Sequence, residues 1–251
     1  MLSSSLISST WLIAIALNTI LGAIALLLPR KVLTTAGIIH AWILGIVIWG
    51  CLGWQGYGVI FSYLVIGSGV TRIGKDIKEA KGIAEKRDGA RGPENLWGSA
   101  ATGAVCAIGQ AIAPHPLWTL AYVASLSTKL SDTSASEIGK AYGKSTFLIT
   151  TLQPVPAGTE GAVSLEGTFA GVGGSLIMAA IGWAVGLLTS PWDLLWCAIA
   201  ALVATNIESL IGATLQARYG WLTNELVNGI NTTLGALVAV AIALVVNELT
   251  I

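Results

Sequence analysis

Asp132 lies in the run Lys129-Leu-Ser-Asp132-Thr-Ser-Ala-Ser136-Glu137-Ile-Gly139-Lys140-Ala-Tyr-Gly143-Lys144, an acid among small hydroxyls and glycines. On a helix, Asp132, Ser136, Gly139, Lys140 and Gly143 share one face. Such a face leaves room for a metal ion and a ligand beside the carboxylate. Packing of small residues between helices accounts for the glycines but not for Asp132, because an ionisable group at membrane depth is costly and usually functional. Further on, Glu160 and Glu166 lie six apart in a Gly/Pro-rich loop that runs from Gln153 to Thr168. Both are candidate ligands for Mg²⁺, which takes oxygen donors and is commonly shared with substrate phosphates. For Glu166 the alternative is favourable placement at a helix N-terminus.

The basic residues point the same way. From Gly67 to Asn95, the residues Arg72, Lys75, Lys78, Lys81, Lys86, Arg87 and Arg91 are interleaved with glycines. Glycine lets backbone N–H groups approach a phosphate, and Arg or Lys neutralises its charge. The plainer reading is a solvated helix from Lys75 to Arg87 held by the pairs Lys75–Glu79 and Lys81–Glu85. That reading is the better one for Lys78 and Glu79. The glycine-flanked stretch Arg87 to Asn95 suits a ligand-binding loop. Gly139 to Ser145 resembles a phosphate-binding P-loop, but it is one residue short between its glycines and follows a helical pattern, so it is rejected as such. Lys144 is retained as a phosphate contact.

Asn224, Asn228 and Asn231 form a polar stripe entering the last apolar run, and Asn206, Glu208 and Ser209 lie just before that region. The stripe must face protein or a wet cavity. His40 reads as a satisfied core residue. Cys51, Cys106 and Cys197 have no paired spacing and read as small core residues.

These residues must be carried by membrane-spanning helices. The chain is 54% hydrophobic and 10% charged, against about 25% charged for an ordinary soluble domain. Zero net charge leaves no footprint for nucleic acid. The fold class expected is all-α, one polytopic transmembrane domain over 1–251 with about eight spans. The spans are Trp11–Leu28, Val32–Cys51, Tyr57–Val70, Trp97–Ala113, Leu117–Lys129, Thr168–Leu188, Trp192–Leu210 and Asn228–Asn247. Tyr57–Val70 and Leu117–Lys129 are short and must be tilted, buried or extended. With no basic residues ahead of it, the first run reads as a retained span. Pro29, Pro114, Pro116 and Pro191 mark joints. With the N-terminus outside, all thirteen Lys and Arg, Arg30 and Lys31 included, fall on the inner side and none in the outer turns near Gln55, His115 and Asp193. Both termini are then outside, and the polar regions 71–94, 129–167 and 206–227 share a cytoplasmic face.

Four stretches carry a resemblance: Lys129 to Lys140, Gly158 to Thr168, Asn206 to Gln216, and Trp221 to Asn228. Together they resemble the integral-membrane family that contains the plant and cyanobacterial phytyl-phosphate kinases of the vitamin E pathway. More distantly, Asp132-Thr-Ser-Ala135-Ser-Glu-Ile-Gly139 and Glu166-Gly167 resemble a pattern in CTP-dependent dolichol and phytol kinases and CDP-diacylglycerol synthases. The resemblance implies phosphoryl transfer from CTP, or a related nucleotide, to an isoprenyl monophosphate in a plasma or thylakoid-type membrane. Asp132, with Glu166 or Glu160, would hold Mg²⁺. Arg72, Lys75, Arg87, Arg91, Lys129 and Lys144 would clamp the phosphates, and Asn95, Ser136, Gly139, Asn224 and Asn228 would complete the nucleotide site. The acceptor is already an anion, so no strong base is needed. The competing readings are a cytidylyltransferase and a lipid-phosphate transporter or flippase; a transporter would favour an inverted repeat, and none is evident.

Overall fold

The computed structural model of the protein describes residues 4–28, 31–216 and 218–249. Pro29, an expected joint, and Arg30, one of the inner-side charges, lie outside them. Among the described residues the helices are α1 (Ser4–Leu27), α2 (Thr35–Arg72), α3 (Lys75–Ala80), α4 (Pro93–Ile112), α5 (Pro116–Tyr142), α6 (Leu165–Ala184), α7 (Trp192–Ile211) and α8 (Asn224–Leu249). The expectation of an all-α membrane protein holds. Ser9–Leu27, Thr35–Arg72, Leu165–Ala184, Trp192–Gln216 and Asn224–Val246 are each long and apolar enough to cross a bilayer.

Helix α2 has 38 residues and would be about 57 Å long if straight, nearly twice the hydrocarbon thickness. It is not straight. Gly53 adopts φ 64° and ψ −159°, outside the helical region, which a residue with a side chain rarely enters. Residues from both halves meet common partners. Gly37 abuts the Arg91 carbonyl while Gly67 abuts the Arg91 guanidinium, and Gly45 and Tyr57 both meet Asn18. The helix therefore folds back on itself at Gly53. Its arms occupy the two separate spans read from the sequence, and the second arm extends past Val70 to Arg72.

Helix α5 is the centre of the bundle, packed against α2, α4, α6, α7 and α8. Pro116 starts it, and His115 caps it by accepting from the Leu117 N–H at 3.2 Å. Leu120 to Ser131 is buried without a break. The short fifth span is thus a buried helix that runs on to Tyr142. It lies against α6 through small residues. A Cβ on Gly167 would come 2.6 Å from the Ala135 carbonyl oxygen, and one on Gly174 would come 3.0 Å from that of Leu130. Side chains there would push the helices apart.

Two short strands, β1 (Phe147–Leu148) and β2 (Ala162–Val163), pair antiparallel with Phe147 opposite Val163. They close the loop between α5 and α6. At the other edge of the polar end, the Arg91 backbone pairs with the segment before α2: Arg91 N–H donates to Val32 at 2.9 Å and Thr34 N–H donates to Arg91 at 3.0 Å.

Candidate active site

Residues from all three polar regions line one cavity of about 590 Å³ at the end of the bundle. Helix α5 supplies Asp132, Ser136, Gly139 and Lys140 to its wall, as expected from their shared face, and Lys129 as well, whereas Gly143 of that face is absent from it. The α5–α6 loop supplies Glu160, α7 supplies Glu208, and α8 supplies Asn224 and Asn228. Arg87, Arg91 and Asn95 complete it.

At its centre lies a buried charge cluster. Lys129 is 5% exposed, and its Nζ donates to Asp132 Oδ2 at 2.5 Å and to Asn228 Oδ1 at 2.7 Å. A charge removed from water survives only when paired and hydrogen-bonded. That requirement explains why an asparagine of the α8 stripe faces Lys129. The Glu208 side chain is within hydrogen-bonding reach of Asp132 and also feels the charges of Lys129 and Glu160. Asn231, one turn further along α8, donates to Glu208. Two carboxylates side by side, with a lysine and amides around them, make an oxygen-rich cradle suited to a hard cation. No group of three His, Cys, Asp or Glu converges as a metal site among the described residues, so these carboxylates could supply only part of a coordination shell.

Arg91 lines the same cavity. It is 8% exposed, its guanidinium carbon lies 4.9 Å from the Tyr63 ring centroid, and it donates to the Tyr63 hydroxyl. Glycine at position 67 makes room for it, because a Cβ there would come 2.8 Å from the guanidinium. Arg91 is thus held through both backbone and side chain.

Several sequence expectations are corrected here. Lys78 is not on a solvated face. It is buried, ion-paired with Glu137 of α5, and donates to the Thr71 carbonyl at 2.7 Å. The reason is that α3 ends at Ala80 and lies across α5, with Gly74 against Ala141. The Lys75–Glu79 pair forms at 3.5 Å. Glu85 instead pairs with Lys140 across the gap at 3.3 Å, and Lys81 donates to the Lys140 carbonyl at 3.2 Å. Arg87 sits at the cavity rim, where it pairs with Glu94 at 2.5 Å, both side chains well exposed. The Arg87 hydrogen bond holds the Glu94 carboxyl below the usual carboxylate range.

Arg72, Lys75, Lys144 and Glu166 are absent from the cavity wall. Arg72 and Lys144 are exposed. Glu166 sits in the first turn of α6, after Ser164 has capped the helix by accepting from Gly167 N–H at 3.1 Å. Gly167 faces α5, which turns its neighbour Glu166 away by about 100°. The helix-end reading of Glu166 prevails. The sequence alone assigns Glu208 no role. The available signal was the one used for Asp132, an acid inside an otherwise apolar run. His40 accepts from the Trp97 indole at 3.0 Å, as a satisfied core residue does. Cys106 and Cys197 are buried and Cys51 half-buried, all three as free thiols.

Comparison with known proteins agrees with this membrane architecture. Residues 18–236 match the family described as Integral membrane protein DUF92. The chain belongs to this family. It is 60% identical over 235 residues to an uncharacterized membrane protein of Synechocystis sp., covering 92% of this chain and 91% of the relative. It is 44% identical over 241 residues to the chloroplastic protein VTE6 of Arabidopsis thaliana, covering 93% of this chain and 72% of that protein. An uncharacterized membrane protein of Methanocaldococcus jannaschii is 31% identical over 225 residues, covering 89% and 91%. No solved structure matches the chain.

Proposed function

We propose that this protein transfers the terminal phosphoryl group of CTP to an isoprenyl monophosphate, with phytyl phosphate the first candidate, in tocopherol and prenylquinone synthesis. An acceptor phosphate oxygen bonds to the terminal phosphorus, the bridging oxygen leaves with CDP, and the lipid diphosphate is formed. The observation that carries this reading is the Asp132–Glu208 pair beside the buried Lys129, in a cavity that Arg91 also lines. Phosphoryl transfer needs positioning and charge stabilisation more than covalent chemistry from the protein. The similarity to VTE6 supports the pathway and a thylakoid-type membrane.

Asp132 and Glu208 are the residues that would hold Mg²⁺, with Glu160 elsewhere in the cavity lining. Magnesium is commonly bound by one or two carboxylates and completed by substrate phosphates, so a two-carboxylate cradle fits. When bound, the ion would neutralise charge between the two phosphate chains. Lys129 would hold Asp132 in place, and Arg91 and Lys140 would offset the remaining negative charge. Asn95, Ser136, Gly139, Asn224 and Asn228 would line the nucleotide side. The polar end would face the cytoplasm, so that single cysteines near Lys81 and Ser145 react from that side alone and one near His115 from the other.

The test is to incubate purified protein with Mg²⁺, CTP labelled in both base and terminal phosphate, and phytyl phosphate. Terminal label should move to a lipid diphosphate while base label appears as CDP. Base label in the lipid would instead identify a cytidylyltransferase. Asp132→Asn and Glu208→Gln should each lower turnover by about a hundredfold or more, and Glu166→Gln should leave it nearly intact. Full activity of Asp132→Asn at saturating Mg²⁺ would overturn the metal assignment.

A further inference from the structure

The cavity does not end at the carboxylates. It continues between α6 and α7, where Thr168 and Gly171 form one wall and Leu202, Thr205 and Asn206 the other. Leu202 precedes Glu208 on α7 by nearly two turns, so the cavity reaches about 9 Å further along that helix. Leu202 is nevertheless 40% exposed, and Thr168 and Asn206 are exposed as well. Leu195, Ile199 and Leu210, which share a face of α7 with Leu202 and Asn206 but lie outside the cavity, are exposed too, so this face is the outer surface of the bundle, within a stretch apolar enough to lie in a membrane. The cavity is open sideways.

The chemistry of this opening is graded. Thr168 and Asn206 are polar groups in membrane-spanning helices, where unsatisfied polarity is costly. Each satisfies part of it locally: Thr168 donates to the Ser164 carbonyl at 2.9 Å, and Asn206 donates to the Leu202 carbonyl at 2.7 Å. Thr205 Oγ1 is buried with no hydrogen-bond partner among the described residues. Further along, Leu202 and Gly171 give the wall an apolar strip beside Thr205 and Ser131. A nucleotide has no use for an apolar side opening, whereas an amphiphile charged at one end matches it from head to tail.

We propose that the α6–α7 slot is the entry path and binding groove for the isoprenyl chain of the acceptor. The lipid slides in from the bilayer, its phosphate passes Asn206 and Thr168 to reach the Asp132–Glu208–Lys129 cluster, and its chain stays between Gly171 and Leu202. This inference rests on the lipid-phosphate reading above.

The experiment uses the whole protein in nanodiscs and geranylgeranyl phosphate carrying a diazirine midway along its chain, with no nucleotide present. Photolabelling should map to α6 around Thr168–Gly171 and to α7 around Ile199–Asn206, and excess unlabelled geranylgeranyl phosphate should suppress it. Leu202→Trp, which fills the groove, should cut labelling at these positions about tenfold, the equivalent of about two buried methylenes. Leu202→Ala serves as a second variant if the tryptophan impairs folding, and should shift labelling along the groove. Label confined to α1 or α2 would overturn the slot. A parallel CTP assay separates the two readings: slot labelling without diphosphate formation sinks the phosphoryl-transfer reading alone, and diphosphate formation with label elsewhere sinks the slot alone.

Discussion

Lys78 and Arg87 lie in the same charged, glycine-punctuated segment, and their fates are opposite. Lys78 is 1% exposed and paired with Glu137, whereas the Arg87 side chain is 52% exposed and paired with an equally accessible Glu94. The sequence places Lys78 on a solvated face, which its burial overturns, and Arg87 in the site, where it lines the cavity rim. The difference teaches that the number of charges in a segment says little about which of them bear a desolvation cost. What decides is whether a partner from another element reaches them. Glu137 of α5 reaches Lys78, while Arg87 pairs with a neighbour in its own segment.

Substitution should expose this contrast in graded steps. The largest effect is expected for Lys78→Ala, which leaves Glu137 buried with its main partner gone and only Lys140, at 3.6 Å, remaining. Breaking a buried pair from one side costs about 3–5 kcal/mol, which should appear as a large fall in thermal stability in detergent. Replacing both partners, Lys78→Met with Glu137→Leu, should recover most of that loss. A silent Lys78→Ala would return α3 to a solvated strap.

Arg91→Lys comes next. An ammonium cannot both stack on Tyr63 and reach its hydroxyl as a planar guanidinium does, so a loss of about 1–2 kcal/mol is expected. If Arg91 also grips phosphate, the nucleotide or acceptor KM should rise beyond what the melting curve explains. An unchanged KM would leave Arg91 as a structural brace.

Arg87→Ala should cost under about 1 kcal/mol, as expected for an exposed pair. Its backbone, however, is left-handed at φ 56°, a conformation that costs a non-glycine residue about 1–2 kcal/mol. Arg87→Gly should therefore be at least as stable as the parent protein. Such strain often marks functional positions, so activity, not stability, is the discriminating measurement. A stable but inactive Arg87→Gly would give this rim arginine a part in the reaction. The smallest effect is expected for Lys75→Ala, since its pair with Glu79 at 3.5 Å is half-exposed, within about 0.5 kcal/mol on the melting curve.

Much of the architecture was legible without coordinates because the bilayer restricts the choices. Apolar runs long enough to span, proline joints, and basic residues on one side led directly to a helical bundle with a polar end. The α5 face bearing Asp132, Ser136, Gly139 and Lys140 followed from helical periodicity, and the α8 asparagines from the cost of polarity in lipid. The break at Gly53 was foreshadowed by the polar turn near Gln55, which separated two apolar runs that neither length nor hydropathy alone would have divided.

Other assignments needed the tertiary structure. Glu166 and Glu208 look equally plausible as ligands in a list of acids. Only the packing of Gly167 on Ala135 turns Glu166 away, and only the juxtaposition of α7 and α5 brings Glu208 to Asp132. Lys144 and Arg72 are basic and near the right helices, yet they point elsewhere. Periodicity along one helix determines which residues share a face. Which face meets which neighbour, and which charges must find partners across that contact, is settled by close packing between helices distant in sequence.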